Sequence, residues 1–139
     1  DQPETFLTEC PHPWSTEIKI IGAAAFTGVF DYPTLADGRE DIASYVESLL
    51  GGTIDEVPEI WTQASPQSWI TGSEPPFLLL HGSLDRNIPV AQSEAFKAAL
   101  ESAGINVEFH LLPGMNHNGI IRVSETAYLV NAFLFKLLQ

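Results

Sequence analysis

The sequence predicts an α/β fold in which about three parallel strands alternate with helices. Residues 77–80 (FLLL) form a continuous apolar run without polar alternation, which is typical of a strand buried on both faces. A helical pattern from Pro89 and a second short strand pattern at residues 107–112 follow it. Because a strand, a crossover helix and a second strand run parallel, the carboxyl ends of both strands are expected at one edge of the sheet.

The first half of the chain predicts one further strand and two helices. Residues 18–26 (IKIIGAAAF) are the strand candidate, with small residues that permit the close approach of a packed helix. Asp37 is a suitable N-cap for a helix that runs to Leu50, just before two glycines. Pro58 begins a short helical piece that ends near Ala64. The apolar residues of the longer helix recur on one face, which is expected to be core: Ile42, Tyr45, Val46, Leu49 and Leu50.

The second half predicts two helices that cover the sheet. Pro89 suits the first position of one helix, and Gly104 follows its end as a C-cap. Ser124 is expected to cap a last helix that reaches Leu138 and is apolar enough to be well covered. Residues 1–17 lack periodicity and are expected to form a surface segment or a connection. Residues 18–139 are expected to belong to a single domain.

The strands predicted at residues 77–80 and 107–112 each lead into a loop that carries a titratable side chain. Asp85 follows the first strand in HGSLDRNIP, and His117 follows the second in PGMNHNG. Because both loops lie at the same edge of the sheet, the acid and the base are expected to meet there. An imidazole held by a carboxylate can take the proton of a serine hydroxyl and thereby activate it as a nucleophile.

The strings HGSLDRNIPVAQSEAF and EFHLLPGMNHNG resemble the acid and histidine segments of α/β-hydrolases, closest to the esterase/lipase and feruloyl- or acetylxylan-esterase-like branch. This resemblance implies that Asp85 and His117 belong to a catalytic triad whose serine stands on a G-x-S-x-G turn. No such turn occurs in the sequence. The resemblance therefore implies the C-terminal part of a serine hydrolase that cleaves carboxylic esters. Its nucleophile would lie in an N-terminal part, and this chain alone is expected to be inactive.

Several alternatives stay open. The same fold carries prolyl-oligopeptidase-type serine peptidases, and the chain could also be a non-catalytic hydrolase-like fragment or binding module. Asp31 follows the first predicted strand, and in some α/β-hydrolases the acid occupies that place, although turn capping is the expected role. Trp61 and Trp69 could line an aromatic pocket, although packing is the more common role of such large side chains.

The sequence predicts neither a metal site nor an organic cofactor. His81, Asp85, His110 and His117 supply suitable donor atoms, but H-E-x-x-H, H-x-H and paired cysteines do not occur. A phosphate-binding glycine loop does not occur either. His81 ends the apolar run and is expected to have a structural, hydrogen-bonding role, whereas His110 is expected to be a half-buried strand residue.

The composition and net charge indicate which kinds of partner the chain is expected not to bind. Six Lys and Arg against 18 Asp and Glu give the 139-residue chain a net charge of −12, which disfavours nucleic acid and anionic membrane surfaces. No leader and no apolar run of about 18 residues is present, so a soluble protein is expected. The single Cys10 is expected to be a buried thiol, although a disulfide to an N-terminal half would fit secretion. The compartment stays open.

The predicted sheet also implies a protein partner. Three parallel strands leave backbone N–H and C=O groups unpaired along an edge, and such edges invite association. We therefore expect the open sheet edge to be covered by the N-terminal half of the same precursor or by another chain. A small ester is the expected substrate.

Overall fold

The computed structural model describes residues 19–122 and 124–139, which form a three-stranded parallel sheet with helices on both faces. The strands lie in the order β1, β2, β3: Ala23–Phe26, Phe77–Gly82 and Val107–Leu112. The five α-helices of the described residues are α1 (Tyr32–Ala36), α2 (Glu40–Leu50), α3 (Pro58–Ala64), α4 (Val90–Ser102) and α5 (Ser124–Leu137). The predicted α/β architecture with parallel strands is confirmed. The surface segment predicted at residues 1–17, with Cys10, lies outside the described residues.

The central strand β2 is buried on both faces, as its unbroken apolar run predicts. Leu78, Leu79 and Leu80 have no exposed surface. On one face, Leu79 packs with Phe96 and Leu100 of α4, and on the other face Leu78 and Leu80 pack with Phe133 of α5. Because β2 pairs in parallel with β1 on one side and β3 on the other, all three strands present their carboxyl ends at the same edge.

Several strands and helices begin or end at residues other than those predicted. Strand β1 begins at Ala23 instead of residue 18, and β2 continues two residues beyond Leu80 to Gly82. Asp37 does not cap α2, because it is the C-cap residue of α1 and Arg39 precedes α2 instead. Helix α1 has only 5 residues, fewer than a periodic pattern needs to be recognised. Two predicted terminal positions shift by one residue, since Pro89 is the N-cap of α4 and Ser124 is already helical in α5.

The prediction that the apolar face of α2 is core is wrong for this chain. Only Val46 of that face is buried, whereas Tyr45 is 78% exposed and Leu49 is 69% exposed. Helix α2 has its main contacts with α1 and α3, which leave Ile42 and Leu50 half-buried and the rest of the apolar face exposed.

The expectation that α5 is well covered is also wrong. Phe133 is buried and Leu137 packs beside it, because that side of α5 faces β2. The opposite side exposes four large apolar side chains: Tyr128, Leu134, Phe135 and Leu138. None of the helices in the described ranges combines the length and apolarity needed to cross a membrane.

A hydrogen-bonded turn at residues 71–74 leads into β2 and makes stability depend on pH. The Glu74 carboxylate accepts hydrogen bonds from the Thr71 amide at 2.7 Å, the Thr71 hydroxyl at 2.8 Å and the Gly72 amide at 2.9 Å. Desolvation raises the pKa of Glu74, but these hydrogen bonds outweigh it and lower the pKa from 4.5 to about 2. A carboxyl group with a depressed pKa stabilises the fold above its unfolded pKa, and that contribution is lost as the pH falls through the folded value.

We therefore expect Glu74→Gln to lower the free energy of unfolding at pH 7 and to weaken its pH dependence. The difference between the wild type and the variant should shrink as the pH falls from about 4.5 to about 2, since Glu74 is then protonated in both states. Urea unfolding across this range measures the effect. Glu94, an exposed residue of α4, serves as the control in a Glu94→Gln variant. A constant difference between Glu74→Gln and the wild type at all pH values would contradict this prediction.

Candidate active site

Asp85 and His117 meet at the carboxyl edge of the sheet, in the arrangement that the topology predicts. Asp85 lies in the turn after β2, and His117 lies in the loop after β3. The Nδ1 atom of His117 is 2.8 Å from Oδ2 of Asp85. Because an ionised carboxylate only accepts hydrogen bonds, Nδ1 carries the proton and donates it to Asp85. In the neutral ring, this leaves the Nε2 atom of His117 as the unprotonated nitrogen.

The Asp85 carboxylate is fully enclosed and hydrogen-bonded through both oxygens. Its side chain has no exposed surface, and its Oδ1 accepts hydrogen bonds from the amides of Asn87 and Ile88, each at 2.9 Å. Burial raises the pKa of Asp85, but the hydrogen bonds from Ile88, His117 and Asn87 and the charge of His117 together hold it below its ordinary value. Asp85 is therefore an anion at neutral pH, as an orienting carboxylate must be.

The free side of the His117 ring faces an open hollow. The His117 side chain is 33% exposed, and no group among the described residues hydrogen-bonds to its Nε2. The hollow has a volume of about 410 Å³, and it is lined by His117 together with Leu84, Arg86, Asn87, Asn116 and Asn118. An imidazole with one nitrogen fixed by a carboxylate and the other open to a pocket can take up and return a proton.

The two loops that carry the pair are held together by hydrogen bonds between them. The Leu84 amide donates to the Met115 carbonyl at 2.8 Å, and the Gly114 amide donates to the Ser83 hydroxyl at 2.9 Å. A side chain at Gly82 would collide with the same Met115 carbonyl, so only glycine permits this approach. The sequence indicates Gly82 and Ser83 only as loop-forming residues, whereas Gly82 is the last residue of β2, and no pattern predicted the contacts of either residue with the Met115 loop. A glycine at the end of a buried strand was the one available signal.

Asp31, the alternative acid, is engaged elsewhere. Its carboxylate accepts hydrogen bonds from the Thr34 hydroxyl at 2.6 Å and from the Thr34 amide at 3.5 Å, which makes Asp31 the N-cap of α1. The backbone on both sides of it is fixed by the buried Gln92 of α4, whose Oε1 accepts from the amides of Phe30 and Asp31 and whose Nε2 donates to the Asp31 carbonyl. The expected capping role is therefore confirmed, and His117 is bound to Asp85 instead.

The two tryptophans differ in burial, and neither lines the hollow beside His117. Trp61 is 1% exposed and donates its indole hydrogen bond to the Gly52 carbonyl, so its packing role is confirmed. Trp69 is 43% exposed and donates to the Gln63 carbonyl at 2.8 Å.

The four donor residues considered for a metal do not form one site. His110 lies on β3, half-buried as predicted, with its nearest acidic partner Glu108 at 4.0 Å. His81 is fully buried, and its ring contacts the Ser93 hydroxyl and the Ile88 carbonyl, which confirms the predicted hydrogen-bonding role. Within residues 19–122 and 124–139, no group of three His, Cys, Asp or Glu residues is arranged to hold a metal ion.

Comparison with known proteins relates this chain to hydrolases. The BD-FAE family model matches residues 4–100, which include Asp85. Esterase LipQ of Mycobacterium tuberculosis is 33% identical over 105 residues, a match that covers 74% of this chain and 25% of LipQ. The uncharacterized peptidase YtmA of Bacillus subtilis is 27% identical over 118 residues, covering 77% of this chain and 46% of YtmA.

A solved structure shares the fold. A truncated form of a carbohydrate esterase from gut microbiota superimposes with a TM-score of 0.74 at 21% identity, covering 85% of this chain and 42% of that one. The chain thus spans less than half the length of each of these three proteins. The family match extends over more than half of the chain. The chain therefore belongs to the BD-FAE family, and its three strands form part of an α/β-hydrolase sheet.

Proposed function

We propose that this chain is the part of a serine hydrolase that supplies the acid and the base for the cleavage of carboxylic esters. Asp85 is the orienting acid, His117 is the general base, and the nucleophilic serine belongs to the N-terminal part of the protein. The observation that carries this proposal is the 2.8 Å hydrogen bond from His117 Nδ1 to a buried carboxylate, with Nε2 open to the hollow.

The proposed reaction follows from the proton positions. His117 Nε2 takes the hydroxyl proton of the serine as the serine oxygen attacks the ester carbonyl. The imidazolium that forms is stabilised by the Asp85 anion, and it returns the proton to the departing alcohol. Water then attacks the acyl-enzyme with the same proton transfers in sequence, which releases the carboxylic acid and restores the serine.

The relatives support an ester substrate over a peptide substrate. LipQ, which is more similar in sequence to this chain than YtmA is, is named an esterase, and the superimposed structure is a carbohydrate esterase. YtmA is named a peptidase, which favours the second candidate, a serine peptidase. The same Asp85 and His117 arrangement would serve either reaction, because both leaving groups need a proton from Nε2. The third candidate, a non-catalytic binding module, does not require Nε2 to face a pocket.

Turnover by the full-length protein tests these candidates. We expect it to hydrolyse ethyl esters of short carboxylic acids and to leave the p-nitroanilides of blocked peptides uncleaved. We also expect a fluorophosphonate probe to label a serine outside this chain. Cleavage of the anilides would favour the peptidase. The absence of both turnover and labelling would favour the binding module.

We further propose that the N-terminal part of the same protein completes the sheet at β1. Strand β1 consists of alanines and one phenylalanine, and Ile20 and Ile21 beside it are 60% and 41% exposed. The opposite edge, β3, carries Glu108, which is bound to Lys136 at 2.8 Å, and His110. Charged side chains are typical of strands that stay at an edge, and their absence from β1 is typical of a strand with neighbours on both sides.

A further inference from the structure

His81 is a fully buried titratable side chain beside the proposed active site, and the reaction itself does not use it. It lies in β2 one residue before Gly82, and its side chain has no exposed surface. A buried imidazole must satisfy both of its nitrogen atoms within the protein. The partners of those two nitrogens show what the ring holds in place.

One partner fixes the tautomer of His81. Its Nε2 atom is 3.0 Å from the Ile88 carbonyl oxygen, which can only accept, so Nε2 carries the hydrogen. In the neutral ring, Nδ1 then accepts a hydrogen bond from the Ser93 hydroxyl of α4 at 2.7 Å. The ring is therefore anchored to α4 on one side and directs an N–H group toward the turn of Asp85 on the other side.

The Nε2 atom of His81 also lies close to the Asp85 carboxylate, although its hydrogen bond is to the Ile88 carbonyl. His81 Nε2 is 3.5 Å from Asp85 Oδ2, the oxygen that accepts the hydrogen bond from His117. Ile88 is fixed at both ends, since its carbonyl accepts from His81 and its amide donates to Asp85 Oδ1. His81 therefore contacts the carboxylate directly and also holds the backbone that binds the other carboxylate oxygen.

We propose that His81 is a positioning residue that acts through Asp85 on His117. This inference rests on the proposed function, because it assigns His81 a role in that same site. The Nε2–H group of His81 fixes the turn at residues 85–88 and the direction of Asp85 Oδ2, and Oδ2 in turn sets the orientation of the His117 ring. A displacement of a reacting group by about 1 Å can lower a rate by about 100-fold, so a positioning contact of this kind has a measurable effect.

Two amide substitutions separate positioning from space filling. The amide nitrogen of Gln lies as many bonds from Cβ as Nε2 of histidine, so His81→Gln retains a donor for the Ile88 carbonyl. The amide oxygen of Asn corresponds instead to Nδ1, so His81→Asn retains only the acceptor for Ser93. In the full-length protein we expect His81→Asn to lower kcat for ester hydrolysis by about 10- to 100-fold with KM within about twofold. We expect His81→Gln to stay within about fivefold of the wild-type kcat.

A spectroscopic measurement tests the same inference without turnover. In the proton NMR spectrum, a histidine N–H bound to a buried carboxylate gives a strongly downfield resonance. The resonance that disappears in His117→Gln is assigned to His117. We expect this resonance to be kept in His81→Gln and to be lost or shifted upfield in His81→Asn. His110→Gln and His110→Asn are the matched controls, since His110 lies on the neighbouring strand without contact to Asp85, and they should leave kcat and the resonance unchanged.

The outcomes separate this inference from the proposed function. Wild-type kcat and an unchanged resonance in a folded His81→Asn variant would overturn the positioning role. If His81→Asn does not fold, the Ser93→Ala variant tests the positioning role instead, because without the Ser93 hydroxyl the His81 ring loses its anchor on α4. A several-fold lower kcat in Ser93→Ala is expected, and an unchanged kcat would overturn the inference. A wild-type protein without esterase turnover would contradict the proposed function alone, since the resonance still reports the position of His117.

Discussion

Asp85→Asn in the full-length protein is expected to lower kcat for ester hydrolysis by about ten-thousand-fold, with little change in KM. An asparagine amide in this place can donate a hydrogen bond to His117 Nδ1, which favours the tautomer with the hydrogen on Nε2. That tautomer cannot take the proton of the serine. The variant also loses the negative charge that stabilises the imidazolium, although the hydrogen bonds from Asn87 and Ile88 can keep the side chain in place. Steady-state kinetics with a p-nitrophenyl ester measures both constants.

Asp31→Asn is the matched control for the acid. Asp31 caps α1 through Thr34, and asparagine is about as good an N-cap as aspartate, so the free energy of unfolding should change by less than about 0.5 kcal/mol. We expect kcat to stay within twofold of the wild type. If Asp31→Asn abolished turnover and Asp85→Asn did not, the acid would be Asp31, and the His117 to Asp85 contact would have only a structural role.

The chain expressed by itself is expected to show no ester turnover and to self-associate, and co-expression with the N-terminal part of the same protein should produce an active one-to-one complex. Isolated, the chain presents the uncharged β1 edge and the apolar residues beside it, Ile20 and Ile21. Both features favour association. Analytical ultracentrifugation measures the self-association and the one-to-one complex, and binding of a hydrophobic dye measures the exposed apolar surface. Fluorophosphonate labelling of the co-purified polypeptide shows whether the complex is active.

A pair of lysine substitutions tests which edge of the sheet contacts the N-terminal part of the protein. Ala24 is exposed on β1, and Ala24→Lys would bury an unpaired charge if the N-terminal part covers that strand, at a cost of several kcal/mol. His110→Lys places the same side chain on β3 beside Glu108, where a positive charge is tolerated. We expect Ala24→Lys to prevent the complex and His110→Lys to leave it intact. A stable lone monomer, or a complex that forms equally well with both variants, would contradict the proposed edge.

Local sequence patterns were sufficient to predict the strands and helices whose neighbours lie within this chain. The unbroken apolar run of β2 predicted a strand covered on both faces, and the pattern of β3 gave its bounds at Val107–Leu112. Pro58 and Ala64 bound α3 as the sequence predicts. These predictions succeeded because strand and helix periodicity depend on neighbouring residues alone.

Predictions about burial failed where a helix turns an apolar face away from the described residues. In α2 the repeat of apolar residues predicted the helix correctly but not its exposure to solvent, because Tyr45 and Leu49 are exposed. In α5 the outward Phe135 is 66% exposed, whereas Phe133, only two residues away, is buried. Periodicity shows that a face is apolar, but it does not show what packs on it.

For the candidate site, the sequence by itself determined which side chains come to the edge of the sheet, because parallel strands carry the residues that follow them, Asp85 and His117, to the same side. Only the tertiary structure decided that Asp85 and not Asp31 binds His117, since this depends on how each turn directs its carboxylate. The sequence predicted a hydrogen-bonding role for His81, but the string HGSLD did not show that the ring lies against Asp85. This contact arises because the β2 strand, the Asp85 turn and helix α4 converge on one buried ring, and such convergence is a property of packing and not of sequence spacing.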